Sequence, residues 1–448
     1  MPETRSATCP LCEAICGIDV DIDGGRLTAV RGDPGDPLSR GYLCPKAVAL
    51  IDVQHDPDRV TSPLRRDGDR WVPVGWDEAT AEIGRRLHRV QAESGRDAAA
   101  FYYGNPTAHA YGSILYGILF RQQLGSRNAF SSNSVDALPR LFVSRLLYGN
   151  QAIIPVPDLD RTRFLLVLGA NPAVSNGSVM TAPDVRRRLA RIRERGGRVV
   201  VVDPRRTETA DLADQHVFLR PGTDALLLAA MVRTILDEGL ARPGRLAPFV
   251  DGMDAMREAL APFSPERVAG PTGVPAGVVR ALARDFAAAD GAACYGRLGT
   301  CVQDFGATAS WLVDVLNVVT GNLDRPGGAM FASPAIDLAR VATLLGQQGS
   351  FATFRSRVRA LPEFNGELPA VALAEEIETP GPGRVRALVT LAGNPVLSVP
   401  DGRRLERALA SLDFMVSIDL YVNETTRHAD FILPPSFGLE HDHYPLLF

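Results

Sequence analysis

Apolar positions along this chain fall in two contrasting patterns. Phe164-Leu165-Leu166-Val167-Leu168 and Val199-Val200-Val201-Val202 are continuous apolar runs, the first ending at Gly169 and the second at Asp203. Runs this short without alternation read as strands buried on both faces. Between them come an Ala170-Asn171-Pro172 turn, a stretch over 181–195 with helical spacing, and the stop Gly196-Gly197. Strand, helix and strand within about 40 residues predict a doubly wound parallel sheet. Leu388-Val389-Thr390-Leu391 followed by Gly393-Asn394-Pro395 repeats the strand-to-Asn-Pro pattern, one residue shorter, and Met415-Val416-Ser417-Ile418-Asp419 supplies a partner. Upstream, 71–75 reads as a strand, Asp77 caps an amphipathic helix running to Gln91, and Phe101-Tyr102-Tyr103 is the next strand. By contrast, 18–30 alternates in period two around Asp23-Gly24-Gly25, a hairpin signature. The expected architecture is α/β: a small β-rich N-terminal lobe followed by two Rossmann-like parallel-sheet domains. The expected boundaries are 1–58 for the lobe, 141–324 for one sheet domain, and 59–140 joined to 325–448 for the other.

Composition narrows the class. At 448 residues the chain exceeds one compact core. Hydrophobic content of 46% and charged content of 22% are ordinary for a globular protein, and the net charge of −4 advertises no basic surface, so nucleic acid is not an expected partner. No apolar run approaches the ~20 residues of a membrane span, so direct membrane insertion is not expected. The N-terminus carries neither an apolar signal core nor a twin arginine, and the reading is cytoplasmic.

Of six cysteines, Cys9, Cys12, Cys16 and Cys44 crowd the N-terminus in the spacing C-x2-C-x3-C-x27-C. Such clustering points to a metal site rather than a disulfide framework. Soft thiolates select an iron–sulfur cluster or zinc, and zinc modules more often come as paired knuckles. The hairpin would return Cys44 to the first three. Lys46 is the sole lysine among 48 Lys+Arg residues. Two positions past a thiolate, it reads as a cation placed beside the cluster. Cys294 and Cys301 read as core residues.

The strand ends offer a second chemistry. A G-x-G-x-x-G fingerprint is missing, which argues against a NAD site, but ligands on such sheets still bind at the carboxyl ends of the strands. Gly169 and Asn171 stand at one end, Asp203, Arg205 and Thr207 at the next. Arg205 and Thr207 could hold phosphate and Asp203 could accept from a nucleobase or ribose; ordinary turns with a solvated arginine are the alternative.

Taken in order, the cysteine segment, "WVPVGWDEA", "LGANPAVSN", "VVDPRRTETA", "RPGTDALLLAAM", "GRLGTCVQ" and "TGNLDRPGG" resemble the molybdopterin oxidoreductase family of formate dehydrogenases, nitrate reductases and dimethyl-sulfoxide-reductase-like enzymes. The resemblance spans essentially the whole chain. It implies a [4Fe–4S] cluster on the four cysteines, with Lys46 on the electron path to a molybdenum or tungsten bis-molybdopterin guanine dinucleotide. It also implies a small-molecule substrate and an electron-transfer protein or subunit as partner. Gly169, Asn171, Asp203, Arg205, Thr207, Gly222, Asp224 and Gln303 would meet one pterin dinucleotide, and Asn394 and Asp419 on the second sheet the other.

Two departures stand out. Counting from Ser132-Asn133-Ser134-Val135-Asp136 puts Phe142 where the family carries its metal ligand, with Ser144 a substitute only after a register slip. The chain also stops at an apolar tail after "EHDHY" where family enzymes continue into a β-rich domain, so a truncated chain is expected. A non-catalytic iron–sulfur scaffold of the same fold is the alternative function. His109 and Arg140 are further polar candidates, while His441 and His443 read as loop residues.

Overall fold

The computed structural model describes residues 3–446. In chain order the strands are β1 (Glu3–Thr8), β2 (Gly17–Asp23), β3 (Arg26–Gly32), β4 (Leu64–Asp67), β5 (Arg70–Pro73), β6 (Ala99–Tyr103) and β7 (Ala129–Ser131). Then come β8 (Val156–Pro157), β9 (Phe164–Leu168), β10 (Arg198–Val202), β11 (Gln215–Val217), β12 (Ala292–Gly296) and β13 (Ala329–Met330). The last are β14 (Phe351–Arg355), β15 (Pro362–Phe364), β16 (Ala387–Leu391), β17 (Phe414–Ile418) and β18 (Phe431–Leu433). Two compact units divide the chain, one being Asp136–Gln348 and the other the flanking segments up to Val135 and from Gly349.

In the Asp136–Gln348 unit four parallel strands run in the order β11-β10-β9-β12. Phe164, Leu166, Leu168, Val200 and Val202 face one core, and Leu165, Val167, Val199 and Val201 the other. Both faces are apolar because helices cover both, and strict residue alternation divides each run between them. The helix after β9 spans Val185–Glu194, shorter than 181–195. Val179, Thr181 and Asp184 have positive φ, which no helix accommodates. The segment 325–348, expected with the other sheet, lies in this unit: β13 pairs with β8, and Gly327 N–H donates to Asp158 at 2.8 Å.

The flanking unit holds a seven-stranded sheet of order β5-β4-β18-β17-β16-β6-β7, parallel except at the β4 and β5 edge. Its parallel strands β6, β7, β16, β17 and β18 are also largely buried on both faces, with Thr390 donating to Ser417 at 2.8 Å across β16 and β17, whereas β4 and β5 are partly exposed at the edge. The N-terminal lobe is the antiparallel sheet β1-β2-β3, with Gly24 and Gly25 both at positive φ in the hairpin turn. Among the described residues no helix is long and apolar enough to cross a membrane.

Candidate functional site

The thiol lobe is shaped by backbone contacts. The Cys9 N–H donates to the Cys16 carbonyl at 2.8 Å, closing the loop that carries Cys12. A Cβ on Gly32 would stand 2.2 Å from the Gly41 carbonyl oxygen, so glycine there lets the chain fold back and deliver Cys44. Cys9, Cys16 and Cys44 are buried, Cys12 is partly exposed, and all four are free thiols. Burial, joined by neighbouring thiols, pushes Cys16 up to about 12. Burial likewise pushes Cys9 up to about 11, while the Lys46 ammonium pulls it down. Bound metal would take the thiolates and release those protons. The thiols sense one another electrostatically, yet among the described residues no three His, Cys, Asp or Glu side chains converge as a single ion requires. Four thiolates are a soft donor set of the kind an iron–sulfur cluster takes. Lys46 is exposed on the short helix Pro45–Val48 that begins just after Cys44.

At the carboxyl edge of β9 and β10 the residues singled out from sequence come together. Asn171 Nδ2 donates to Glu208 at 2.6 Å, and Asn171 Oδ1 accepts from Thr209 Oγ1 at 2.7 Å, tying the loop after β9 to the loop after β10. Asp203 accepts from the Arg205 N–H at 2.8 Å, Arg205 is exposed and paired with Glu208 at 3.3 Å, and Thr207 caps the turn by accepting from Ala210 N–H at 3.1 Å. Asp224, buried at the start of the helix Asp224–Asp237, accepts from Gln303 Nε2 at 2.8 Å. Burial raises its pKa against the lowering effect of Gln303, and nearby Asp203 raises it further. Among the described residues Gln303 Oε1 is buried with no hydrogen-bond partner. Asp224 and this oxygen together form an acceptor pair suited to the N–H groups of a purine edge. Gly222 sits at φ +80°, and a Cβ there would lie 3.9 Å from Gln303 Oε1. A Cβ on Gly169 would meet the Thr300 nitrogen at 2.7 Å, so the loops after β9 and β12 approach through bare backbone.

The same construction recurs at the carboxyl edge of β16 and β17. Asn394 Nδ2 donates to Glu424 at 2.9 Å, and its Oδ1 accepts from Thr425 Oγ1 at 2.7 Å. Thr425 Oγ1 accepts from Val396 N–H at 3.2 Å, as Thr209 Oγ1 does from Ala173 N–H at 3.0 Å. Asp419 accepts from Tyr421 N–H at 3.3 Å, as Asp203 does from Arg205; burial raises its pKa, opposed by these backbone donors. The repeat is in register rather than one residue short: Gly169 and Ala392 are the equivalent positions, with φ of 53° and 50°, and each Asn-Pro follows two residues later. Glu208-Thr209 and Glu424-Thr425 are the partners that sequence reasoning passed over. Their signal was an identical Glu-Thr pair five and six residues after Asp203 and Asp419.

Ser144, the possible substitute ligand, is fully buried and accepts from Arg140 at 3.1 Å, which engages it in the core. Arg140 itself is ion-paired with buried Asp314. His109 is buried, and desolvation lowers its pKa.

A thiolate lobe, and in each unit a parallel sheet whose strand ends present the same Asn–Glu–Thr–Asp arrangement, define a protein built for an iron–sulfur cluster and a nucleotide-bearing cofactor. Residues 59–444 match the model of the molybdopterin oxidoreductase family, and residues 2–56 that of the molybdopterin oxidoreductase Fe4S4 domain. The chain belongs to this family, whose cofactors are a [4Fe–4S] cluster and a molybdenum or tungsten molybdopterin. It is 28% identical to the periplasmic nitrate reductase of Desulfovibrio desulfuricans over 97% of this chain and 60% of that protein. It is 27% identical to formate dehydrogenase H of Escherichia coli over 97% of this chain and 62% of that protein. Acetylene hydratase from Pelobacter acetylenicus shares the fold, with a TM-score of 0.79 at 22% identity over 96% of this chain and 62% of that one. The chain thus spans about 60% of the length of these relatives.

Proposed function

We propose that this chain is the large-subunit type of a molybdenum or tungsten oxidoreductase carrying a bis-molybdopterin guanine dinucleotide. The duplicated strand-end construction carries the reading, because two equivalent loop sets provide for two dinucleotides. When bound, the metal pterin supplies two-electron or oxygen-atom chemistry on a small substrate and the cluster exchanges electrons with it and with a partner protein. This chain's residues hold and tune those groups. Cys9, Cys12, Cys16 and Cys44 ligate the cluster, and Lys46 stabilises its reduced form. Asp224 and Gln303 take the donor edge of one guanine. Asp203, Arg205, Thr207 and the Gly169 and Gly222 backbones line that dinucleotide, with Asn171 fixing its loops; Asn394 and Asp419 serve the second.

Phe142 favours a second reading. Phenylalanine cannot ligate a metal and Ser144 is engaged elsewhere, as expected of an iron–sulfur scaffold of the same fold that binds no molybdenum or tungsten. Anaerobic purification followed by metal and nucleotide analysis separates the two. Four irons, one molybdenum or tungsten and two guanine nucleotides per chain are expected. Four irons with neither pterin nor molybdenum nor tungsten would transfer the assignment to the scaffold.

A further inference from the structure

Among the described residues of the Asp136–Gln348 unit two arginines are almost fully buried, and only one of them has a counter-ion. Arg140, 4% exposed, pairs with the Asp314 carboxylate and donates to Ser144 Oγ at 3.1 Å and the Ser310 carbonyl at 3.3 Å; its Nε has no partner. Arg297, 6% exposed, donates only from Nη2, to Ser178 Oγ at 2.8 Å. Its Nε and Nη1 are buried without a partner, and among the described residues it forms no ion pair. Both side chains line one cavity of about 10 Å3, together with Asp314, Cys294, Tyr295 and Val179.

Arginine does not relieve burial by losing its proton. Arg140 and Asp314 cancel, so the cavity wall carries one uncompensated positive charge, which a protein interior tolerates poorly. A water molecule could accept the free N–H groups but brings no charge. The cavity is small, about 10 Å3, which favours a compact anion over a bulkier ligand. The position fits ligand binding: Arg297 directly follows β12 at the carboxyl edge of the sheet. The loop on its rim holds Asn176, Val179, Thr181 and Asp184 at positive φ, and strain of this kind is retained where a site requires it.

We propose that this cavity binds one halide-sized monovalent anion, seated against Arg297 and the Nε of Arg140. The anion neutralises Arg297, satisfies its unpartnered nitrogens and fixes the 176–184 loop. No residue assigned above to a dinucleotide lines this cavity, and its test needs no bound cofactor.

The purified full chain tests this with bromide. Crystals grown with bromide in place of chloride should show one bromine anomalous peak between Arg140 and Arg297. In solution the melting midpoint should rise saturably with bromide relative to gluconate at equal ionic strength. Arg297→Gln, which keeps hydrogen bonding but removes the charge, should weaken the bromide dependence at least about tenfold. A cavity without bromine, or midpoints identical in bromide and gluconate for the unsubstituted protein, would overturn the proposal. The unsubstituted arms decide it even if the variant does not fold.

Discussion

Gly169 and Ala392 occupy equivalent positions of the internal repeat with nearly the same positive φ, yet only one is glycine. An L-residue in that region carries a penalty of about 1–2 kcal/mol, and glycine recovers it less about 0.5–1 kcal/mol of backbone entropy. Ala392→Gly should therefore raise unfolding stability by about 0.5–1 kcal/mol in urea titration, whereas Gly169→Ala, whose Cβ would meet backbone at 2.7 Å, should lower it by at least about 2 kcal/mol. A destabilised Ala392→Gly would refute the equivalence. Asp224 makes a second prediction at this scale. Its folded pKa lies above the ordinary 3.8, so the stability it contributes is full below 3.8 and is lost as pH rises through the folded value. Asp224→Asn removes that loss. The cofactor-free protein should gain about 1 kcal/mol near pH 7, shrinking toward pH 4 in thermal melts, while guanine nucleotide content of the loaded protein falls. An equal gain at all pH values would contradict the titration argument. Neither effect is written in the residue names: Ala392 looks unremarkable beside Gly393 until its φ is known, and Asp224 differs from any helix-start aspartate only through burial and Gln303.

Among the elements, the helix Tyr111–Leu124 is unusual. Leu115, Tyr116, Ile118 and Leu119 are each more than half exposed, so its apolar side is not buried by the residues described. Apolar area of this kind drives self-association. Leu115→Gln with Leu119→Gln should lower light scattering at high protein concentration and change stability by less than about 1 kcal/mol. A large loss of stability would show that the face is packed in solution. The strands were the legible elements. Continuous apolar runs specify burial on both faces, and β9, β10, β16 and β17 follow the sequence reading. Helix starts were less so, because the strained residues 179–184 delay the helix to Val185 and no composition signal marks strain. The strand-end loops were legible as places, but their internal bonds were not, since Asn171 meets Thr209 only after the sheet has formed.

Within the larger unit, the loops that follow β17 and β18 are fastened to the thiol lobe and its exit. Tyr421 donates to Asp56 at 2.9 Å, and Glu440 accepts from Gln54 at 2.6 Å and from Arg59 at 3.1 Å. Phe437 and Leu439 pack into the lobe core. Losing the cluster should therefore loosen the second strand-end site. Cys16→Ser is expected to reduce iron below four per chain and to speed hydrogen exchange at 419–421 and 437–440, leaving 164–168 unchanged. Uniform exchange changes across the chain would instead indicate global destabilisation.

Residue type and local periodicity were enough, in the sequence by itself, to determine the clustered cysteine spacing, the lone lysine, the parallel α/β class and the family, because soft-donor chemistry and strand burial depend on side-chain identity and short spacing. Tertiary structure alone decided where 325–348 packs, which loops the two Asn–Glu–Thr ties join, that Ser144 is engaged, and that Arg297 lacks a counter-charge among the described residues. Each of those depends on residues far apart in sequence sharing one space, and only the packed chain determines which charges are neutralised there.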